Sequence, residues 1–456
     1  MITLENELME YVRSGIARER WFVSKSRTIK DISIERDLSF SIGDSTYHIL
    51  IVKTGFDDFS DFYALFLKKR KDVSGFENAL GDKKFVNKLA DVFLSERTGS
   101  PGIPGIFAEL VIPPSIASGH DMDVVVNREE QSNSTVFLGK KLAMKFYRRL
   151  TPANSPDYEL PKKLSSGTAF TDTPQCFGSL LYEFNGKLYL LCSIFQYIEN
   201  EGSCWTWLTE NLAKLLMSSE LKDNSMNEEI KAIAVVTAEL HNALSKVTDS
   251  SEYVDERDIE NWGSEFRANL RALYSNRISN NLPPLPIMRE ISTANLEKVK
   301  RSPFRKIRIH GDYHLGQIIK AGKKYFVIDF EGEPMRSLEY RRKPSSVLKD
   351  VSGMLRSLHY AISYACMVSG IDPDSSCPEK WYIMAQNLFL GTYLTHMKGD
   401  FHIIPDDKEV FQALLDFFIL DKAVYEALYE VNNRPEWTGI PLHAIKEILK
   451  NSSQKG

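Results

Sequence analysis

In the segment Ile309-His310-Gly311-Asp312-Tyr313-His314-Leu315-Gly316-Gln317, a carboxylate precedes a side-chain amide by five residues. A second carboxylate, Asp329, closes the apolar run Tyr325-Phe326-Val327-Ile328. Two carboxylates and an amide at these intervals are what phosphoryl transfer asks of a protein. One carboxylate accepts the proton of the acceptor hydroxyl, and divalent ions neutralise the phosphate oxygens. Mg²⁺ takes hard oxygen ligands and keeps several waters, so one carboxylate and one amide oxygen suffice. The interval from Asp312 to Gln317 equals that between the base and the metal-binding amide of a kinase catalytic loop. Asp312 is thus the candidate base, and Gln317 and Asp329 are the candidate Mg²⁺ ligands.

These groups need a scaffold that aims them at one point. Ile318-Ile319-Lys320 reads as a strand, Ala321-Gly322-Lys323 as a turn and Lys324 to Ile328 as the return strand. A hairpin of that length returns Asp329 to the loop from which it departs. The nucleotide side is expected on an earlier β-rich region. No Gly-x-Gly-x-x-Gly occurs there, and Gln131-Ser132-Asn133-Ser134 is the candidate phosphate-binding turn. Lys145 alternates with Ala143 and Tyr147 on the strand after it, and Glu159 opens a helical segment. An inward lysine needs a carboxylate or phosphate beside it, so Lys145 and Glu159 are expected to pair. Gln196-Tyr197-Ile198, where the β pattern stops, is the expected adenine-binding hinge.

For the acceptor, Glu426, Glu430, Asn433 and Trp437 recur at i, i+4, i+7 and i+11, with Arg434 adjacent. On a single helix that spacing presents one polar and aromatic face. Asp350 and Arg356 follow the second carboxylate and could line the same cleft, or form a structural ion pair. His310 is a further candidate at the acceptor, although with His314 it equally suits loop-supporting hydrogen bonds. Neither has a third His or Cys nearby for a zinc site.

The wider pattern is β-rich first and helical afterwards. Residues 3–19 read as a helix, and 21–70 switch to period two with core strands at His48–Val52 and Phe62–Leu67. Lys83 to Arg97 is helical, and Gly99 to Gly105 is a Gly/Pro breaker. Strands resume over about 121–148, with a hairpin at Gly139-Lys140. A second hairpin turns at Asn185-Gly186. Helices are expected over 204–217, 226–246, 255–276, 289–299, 347–369, 378–398 and 407–431, followed by a polar tail after Asn451. The domain reading is a cap over 1–98, a β-rich nucleotide-binding part over 99–198 and a helical lobe over 199–456. Together these make an α+β, bilobal protein-kinase-like fold with ATP between the lobes.

Composition narrows the function classes. The chain has 456 residues, 43% hydrophobic and 26% charged, with a net charge of −4; this is a globular profile without the basic surplus of a nucleic-acid binder. Five scattered cysteines without metal-ligand spacing point to reduced thiols in a cytoplasmic protein. No run approaches the length of a membrane span.

Taken together, His310-Gly311-Asp312-x-His314-x-x-Gln317 and Asp329-Phe330-Glu331-Gly332-Glu333-Pro334 resemble the maltokinases, within the aminoglycoside-phosphotransferase/protein-kinase-like superfamily. Arg20-Trp21-Phe22-x-x-Lys25-Ser26-Arg27, Glu130 to Ser134, Asn154-x-Pro156-Asp157-x-Glu159, Lys349 to Ser357 and Tyr429-Glu430-x-Asn432-Asn433-Arg434-Pro435-x-Trp437 carry the same resemblance. It implies ATP-dependent phosphorylation of maltose to maltose 1-phosphate, in α-glucan synthesis, and an association with trehalose synthase. It also implies the N-terminal cap, and it assigns Asp312 as base, Gln317 and Asp329 to Mg²⁺, and Lys145 to phosphate with Glu159 as its helix partner. Two other readings stand beside it. One is a kinase of an amino sugar or aminoglycoside, which an acidic pocket at Glu426 and Glu430 would suit. The other is a nonenzymatic pseudokinase interaction module, against which the intact Lys145, Asp312, Gln317 and Asp329 argue.

Overall fold

The computed structural model describes the chain except for residues 1–3, 20, 23–26, 71–74, 96–101, 117–120, 128–132, 219–224, 250–251, 277–281, 334–335, 374, 398–401 and 455–456. It resolves into two compact units. Met1–Ser166 with Pro174–Glu199 forms the first, and Gly167–Thr173 with Asn200–Gly456 forms the second.

In the first unit, α1 (Leu4–Gly15) precedes β1 (Asp31–Ile42), β2 (Ser45–Gly55), β3 (Ser60–Arg70) and the short β4 (Glu77–Asn78). Then come α2 (Lys83–Leu94), β5 (Ile106–Leu110), β6 (Val124–Val126), β7 (Asn133–Leu138) and β8 (Leu142–Pro152). The unit closes with α3 (Pro156–Gly167), β9 (Cys176–Phe184) and β10 (Lys187–Gln196). The strands form one ten-stranded sheet, in the order β1-β2-β3-β8-β10-β9-β5, with β4 on β3, β7 on β8 and β6 on β7.

Period two explains why β2 is buried on both faces. Ile49 and Ile51 join Phe85, Leu89 and Phe93 of α2 in one core, while Leu50 and Val52 join Leu8 and Val12 of α1 and Ile16 just after it in another. The α2 helix starts where Asp82 Oδ1 accepts from the N–H groups of Lys84 and Phe85, at 3.0 and 3.2 Å. The expected division at residues 98 and 99 does not separate compact units. β3 pairs with β8 at Tyr63 and Arg149, and the strands on either side of the Gly/Pro breaker share one sheet. The expected boundary at 198 falls one residue from the observed end of the unit at Glu199.

In the second unit, α4 (Cys204–Ser218), α5 (Ser225–Val247), α6 (Glu256–Tyr274) and α7 (Leu285–Val299) lead to the hairpin β11 (Ile318–Ala321) and β12 (Lys324–Val327). After it come α8 (Leu338–Arg341), α9 (Leu348–Ser369), α10 (Ser376–His396), α11 (Lys408–Asn433) and α12 (Gly439–Gln454). The α9 helix is buried for most of its length, from Leu348 to Ile362. It lies so close to the loop before the hairpin that a Cβ on Gly353 would stand 2.5 Å from the Tyr313 carbonyl oxygen. Only glycine admits that approach. The α12 helix was not among the expected helices; Ile440, Ala444, Ile445 and Leu449 bury a helical stripe ahead of the polar tail that follows Asn451. No helix among the described residues is long and apolar enough to cross a membrane.

Candidate active site

The catalytic-loop candidate is held by its backbone. Asp350, in the first turn of α9, accepts from the His310 N–H at 2.8 Å and from the Gly311 N–H at 2.9 Å. His241 Nε2 of α5 lies 3.3 Å from the same carboxylate, and its other ring nitrogen meets the Tyr393 hydroxyl. Burial alone would raise the Asp350 carboxyl. The hydrogen bond and charge of His241, with the Gly311 N–H, outweigh burial and hold it below the usual carboxylate range. His310 Nε2 sits 3.0 Å from the Ile328 carbonyl oxygen, tying the loop to the strand that ends at Asp329. His314 caps the turn at Leu315–Gln317 by accepting from the Gly316 N–H.

The hairpin does what its length predicts. Ile318 pairs with Val327 and Ala321 with Lys324, and Gln317 Nε2 stands 3.3 Å from Asp329 Oδ2. Asp329 adopts φ +63°, a left-handed backbone that aspartate tolerates better than most residues but still at a cost. The oxygen-bearing ends of Gln317 and Asp329 therefore converge, and a half-turn of the amide presents its oxygen beside the carboxylate. That donor set fits a hard divalent cation such as Mg²⁺.

Asp312 brings in a residue that the spacing argument missed. Lys422 of α11 places Nζ 3.1 Å from Asp312 Oδ1 and 2.9 Å from Glu333 Oε1, and Arg336 Nε donates to the other Glu333 oxygen at 3.2 Å. Burial would strip the Lys422 proton, but Glu333, Asp312 and Glu426 outweigh it and raise its pKa well above that of a free lysine. Burial likewise pushes the Glu333 carboxyl up, and Lys422, Lys349 and Arg336 bring it down to about 2. The sequence signal for Lys422 was the charged pair Asp421-Lys422 set inside the apolar run Phe417 to Val424. A charge there has to find a partner.

On the first unit, Lys145 of β8 does find a buried carboxylate, but it is Asp157. Nζ lies 3.0 Å from Asp157 Oδ2, and the Tyr147 hydroxyl donates to that oxygen at 2.6 Å. Ser193 of β10 meets the same hydroxyl at 3.0 Å. Glu159, expected in that role, carries an ion pair to Lys163 at 3.3 Å. Both acids occupy the first turn of α3, two residues apart. Positions two apart on a helix point to different sides, so only one can meet the lysine squarely.

The proposed phosphate turn is placed differently. Asn133 and Ser134 belong to β7, paired with Tyr147 and Phe146, and Ser134 Oγ accepts from Arg148 Nε at 3.0 Å. Gln131 and Ser132 lie outside the described residues, as do Arg20, Lys25 and Ser26 of the N-terminal segment. At the expected hinge, the Gln196 N–H donates to the Gln175 carbonyl and the Tyr197 N–H to the Lys141 carbonyl. Neither N–H is left for a base. The Tyr197 ring packs edge-on against Phe137, and Ile198 is half-buried.

The acceptor candidates divide. His310, Asp350 and Arg356 are each 1% exposed. The first two hold the loop, and Arg356 grips Glu426 with Nε at 2.9 Å and Nη2 at 2.8 Å. None of the three is a surface that meets a sugar, which corrects the substrate-contact expectation. Glu430 is buried between Arg434, with contacts at 2.7 and 2.9 Å, and the Tyr360 hydroxyl at 3.2 Å. The α11 helix ends at Asn433, whose side chain folds back onto the Tyr429 carbonyl. Trp437 is therefore off that helix, in the turn Pro435–Trp437. It stacks on Tyr364 at 5.1 Å between centroids, with Tyr360 and Trp205 within 6.5 Å and the Arg434 guanidinium 4.6 Å from its centre. Lys422, Glu426 and Glu430 recur every fourth residue along α11, so this acidic and aromatic patch adjoins the group that holds Asp312.

The likeness to solved structures covers nearly the whole chain. A glucosamine kinase in complex with glucosamine, ADP and inorganic phosphate matches 98% of this chain and 100% of its own, with a TM-score of 0.66 at 19% identity. Another crystal form of a glucosamine kinase matches with a TM-score of 0.67 at 21% identity. This chain has a kinase-like fold. It is mixed α+β, with an antiparallel sheet first and a helical region after it, as the sequence predicts. By sequence, the glucosamine kinase of Streptacidiphilus jiangxiensis is 24% identical over 330 residues, spanning 70% of this chain and 72% of that protein. The glucosamine kinase of Mycolicibacterium smegmatis is 25% identical over 330 residues, spanning 70% and 78%. No family model matches.

Proposed function

We propose that this chain transfers the γ-phosphoryl group of ATP to a hydroxyl of an amino sugar, with glucosamine the leading acceptor. It is an ATP-dependent phosphotransferase with an alcohol acceptor. The observation that carries the reading is the loop around Asp312. Asp350 fixes its backbone while Asp312, Gln317 and Asp329 remain partly accessible, at the spacing a phosphoryl-transfer site needs. In this reading Asp312 accepts the acceptor's proton. Gln317 and Asp329 hold Mg²⁺, which neutralises phosphate oxygens when bound. Lys145, paired with Asp157, is in this reading the lysine that meets the phosphates.

Two considerations favour an amino sugar over maltose. Two relatives matched by sequence are glucosamine kinases. Glu426 of α11 also stays partly accessible, and a carboxylate suits an ammonium-bearing ring better than a neutral disaccharide, whereas Glu430 is buried under Arg434. An association with trehalose synthase belongs to the maltose reading alone.

ATP consumption measured in parallel with glucosamine, N-acetylglucosamine, glucose and maltose tests the proposal. Glucosamine is expected to give kcat/KM at least tenfold above the others. N-acetylglucosamine, which lacks the ammonium, reports whether charge drives the preference. A preference for maltose, or no turnover with any acceptor, overturns the reading.

A further inference from the structure

Away from the groups described above, α9 and α12 bring two histidines and a glutamate together. His359 Nε2 lies 3.4 Å from Glu447 Oε2, and His443 Nε2 lies 3.4 Å from Glu447 Oε1. One ligand atom from each of the three residues falls within 4.8 Å of the others. We propose that His359, His443 and Glu447 form a binding site for a borderline transition-metal cation, Zn²⁺ above all.

The geometry is what such an ion requires. Zn²⁺ bonds nitrogen and oxygen at about 2.0 Å in a tetrahedron, which sets neighbouring ligand atoms about 3.3 Å apart. Each histidine nitrogen stands near that distance from a Glu447 oxygen, His359 from Oε2 and His443 from Oε1. His443 and Glu447 are one turn apart on α12, so the helix itself holds two of the ligands in register. His359 is 5% exposed, and its ring is fixed edge-on against Tyr382 at 5.1 Å. The ligand from α9 is therefore pre-oriented, and the pair from α12 reaches it from a more accessible side. They line a recess with Ser363, Cys366 and Tyr382, from which a fourth ligand would come.

An imidazole-rich donor set selects Zn²⁺, Cu²⁺, Ni²⁺ or Co²⁺ over Mg²⁺. This site is therefore chemically distinct from the all-oxygen pair of Gln317 and Asp329. Its consequence is structural coupling. His359 sits one turn beyond Arg356, which grips Glu426, and α12 begins two residues after Trp437. A cation there would fasten the α12 segment to the helix that positions the catalytic loop.

The alternative is a metal-free clasp in which both Nε2–H groups donate to Glu447. Titrating the chelator-treated full chain with Co²⁺ in a large excess of Mg²⁺ separates the two. One Co²⁺ per chain should bind, with the visible absorption of a low-coordinate nitrogen–oxygen site, and Zn²⁺ should displace it. His443→Gln and Glu447→Gln, both on the accessible side, should each weaken binding at least tenfold without unfolding the chain, as circular dichroism would check. Absence of saturable Co²⁺ and Zn²⁺ binding overturns the proposal. So does a cobalt spectrum that survives both variants.

Discussion

The two units each bury a lysine against an aspartate, and the two pairs are built differently. In the first, Lys145 and Asp157 are both largely withdrawn from solvent, and the second hydrogen bond to Asp157 comes from the neutral Tyr147 hydroxyl. In the second, Lys422 stands between two carboxylates, and the more buried of them, Glu333, has Arg336 as a further cation. Lys422 can thus release Asp312 while keeping Glu333. If Lys145 releases Asp157, a carboxylate only 4% exposed is left with one neutral donor. The first pair is a fixed positive post. The second is an exchangeable restraint on the group proposed to accept a proton.

The largest expected effect tests whether Asp312 is the group being restrained. Asp312→Asn should lower kcat by about 10²–10⁴-fold, the usual worth of a positioned base. ATP affinity measured by calorimetry should stay within about threefold. Unchanged turnover would remove Asp312 from the chemistry and leave Lys422 without a catalytic reason.

Next comes the asymmetry in cost. Lys145→Met isolates a buried charge and should destabilise the first unit by about 3–5 kcal/mol. Lys422→Met leaves Glu333 with Arg336, and leaves Asp312, whose side chain is 22% exposed, partly in water. Its cost should be about 1 kcal/mol. Urea unfolding of the two variants compares them, and equal losses would erase the distinction.

The second cluster also carries more acid than its cations hold comfortably. Asp421, beside Lys422, has Oδ1 buried without a partner, and burial raises its pKa from 3.8 to about 6. The folded chain binds that proton more tightly than the unfolded chain. The resulting stabilisation is complete below about pH 4 and is lost as the pH rises through 6. Asp421→Asn should therefore raise stability by roughly 2–3 kcal/mol at pH 7.5 relative to its effect at pH 4. Thermal melts across that range give the answer.

The smallest effect sharpens the identity of the first pair. Asp157→Asn should raise KM for ATP about tenfold, a loss of some 1.4 kcal/mol, while Glu159→Gln should change it less than twofold. The opposite ranking would restore Glu159 as the partner.

The choice between those two acids shows where sequence reading stops. Strand periodicity marked β2, β3, β7 and β8, and the turn residues at Gly139-Lys140 and Asn185-Gly186 fixed both hairpins. Each of those signals is local. Gln317 and Asp329 were also readable together, because one short hairpin brings them side by side. The phase of α3 relative to β8 is set by packing, so Asp157 and Glu159 could not be ranked by spacing alone. Lys422 lies 110 residues from Asp312 and reaches it only through the fold. The acceptor pattern failed for a related reason: spacing assumed that α11 runs on to Trp437, whereas Arg434 turns the chain out of the helix at φ −145° and ψ 71°.

Along α9, Asp350 fastens the loop amides, Gly353 admits the Tyr313 carbonyl and Arg356 secures Glu426. Three fittings on one rigid rod cannot be adjusted singly. A slip of α9 by a fraction of a turn would loosen all of them at once, so this unit has a single mechanical point through which turnover could be stopped or tuned.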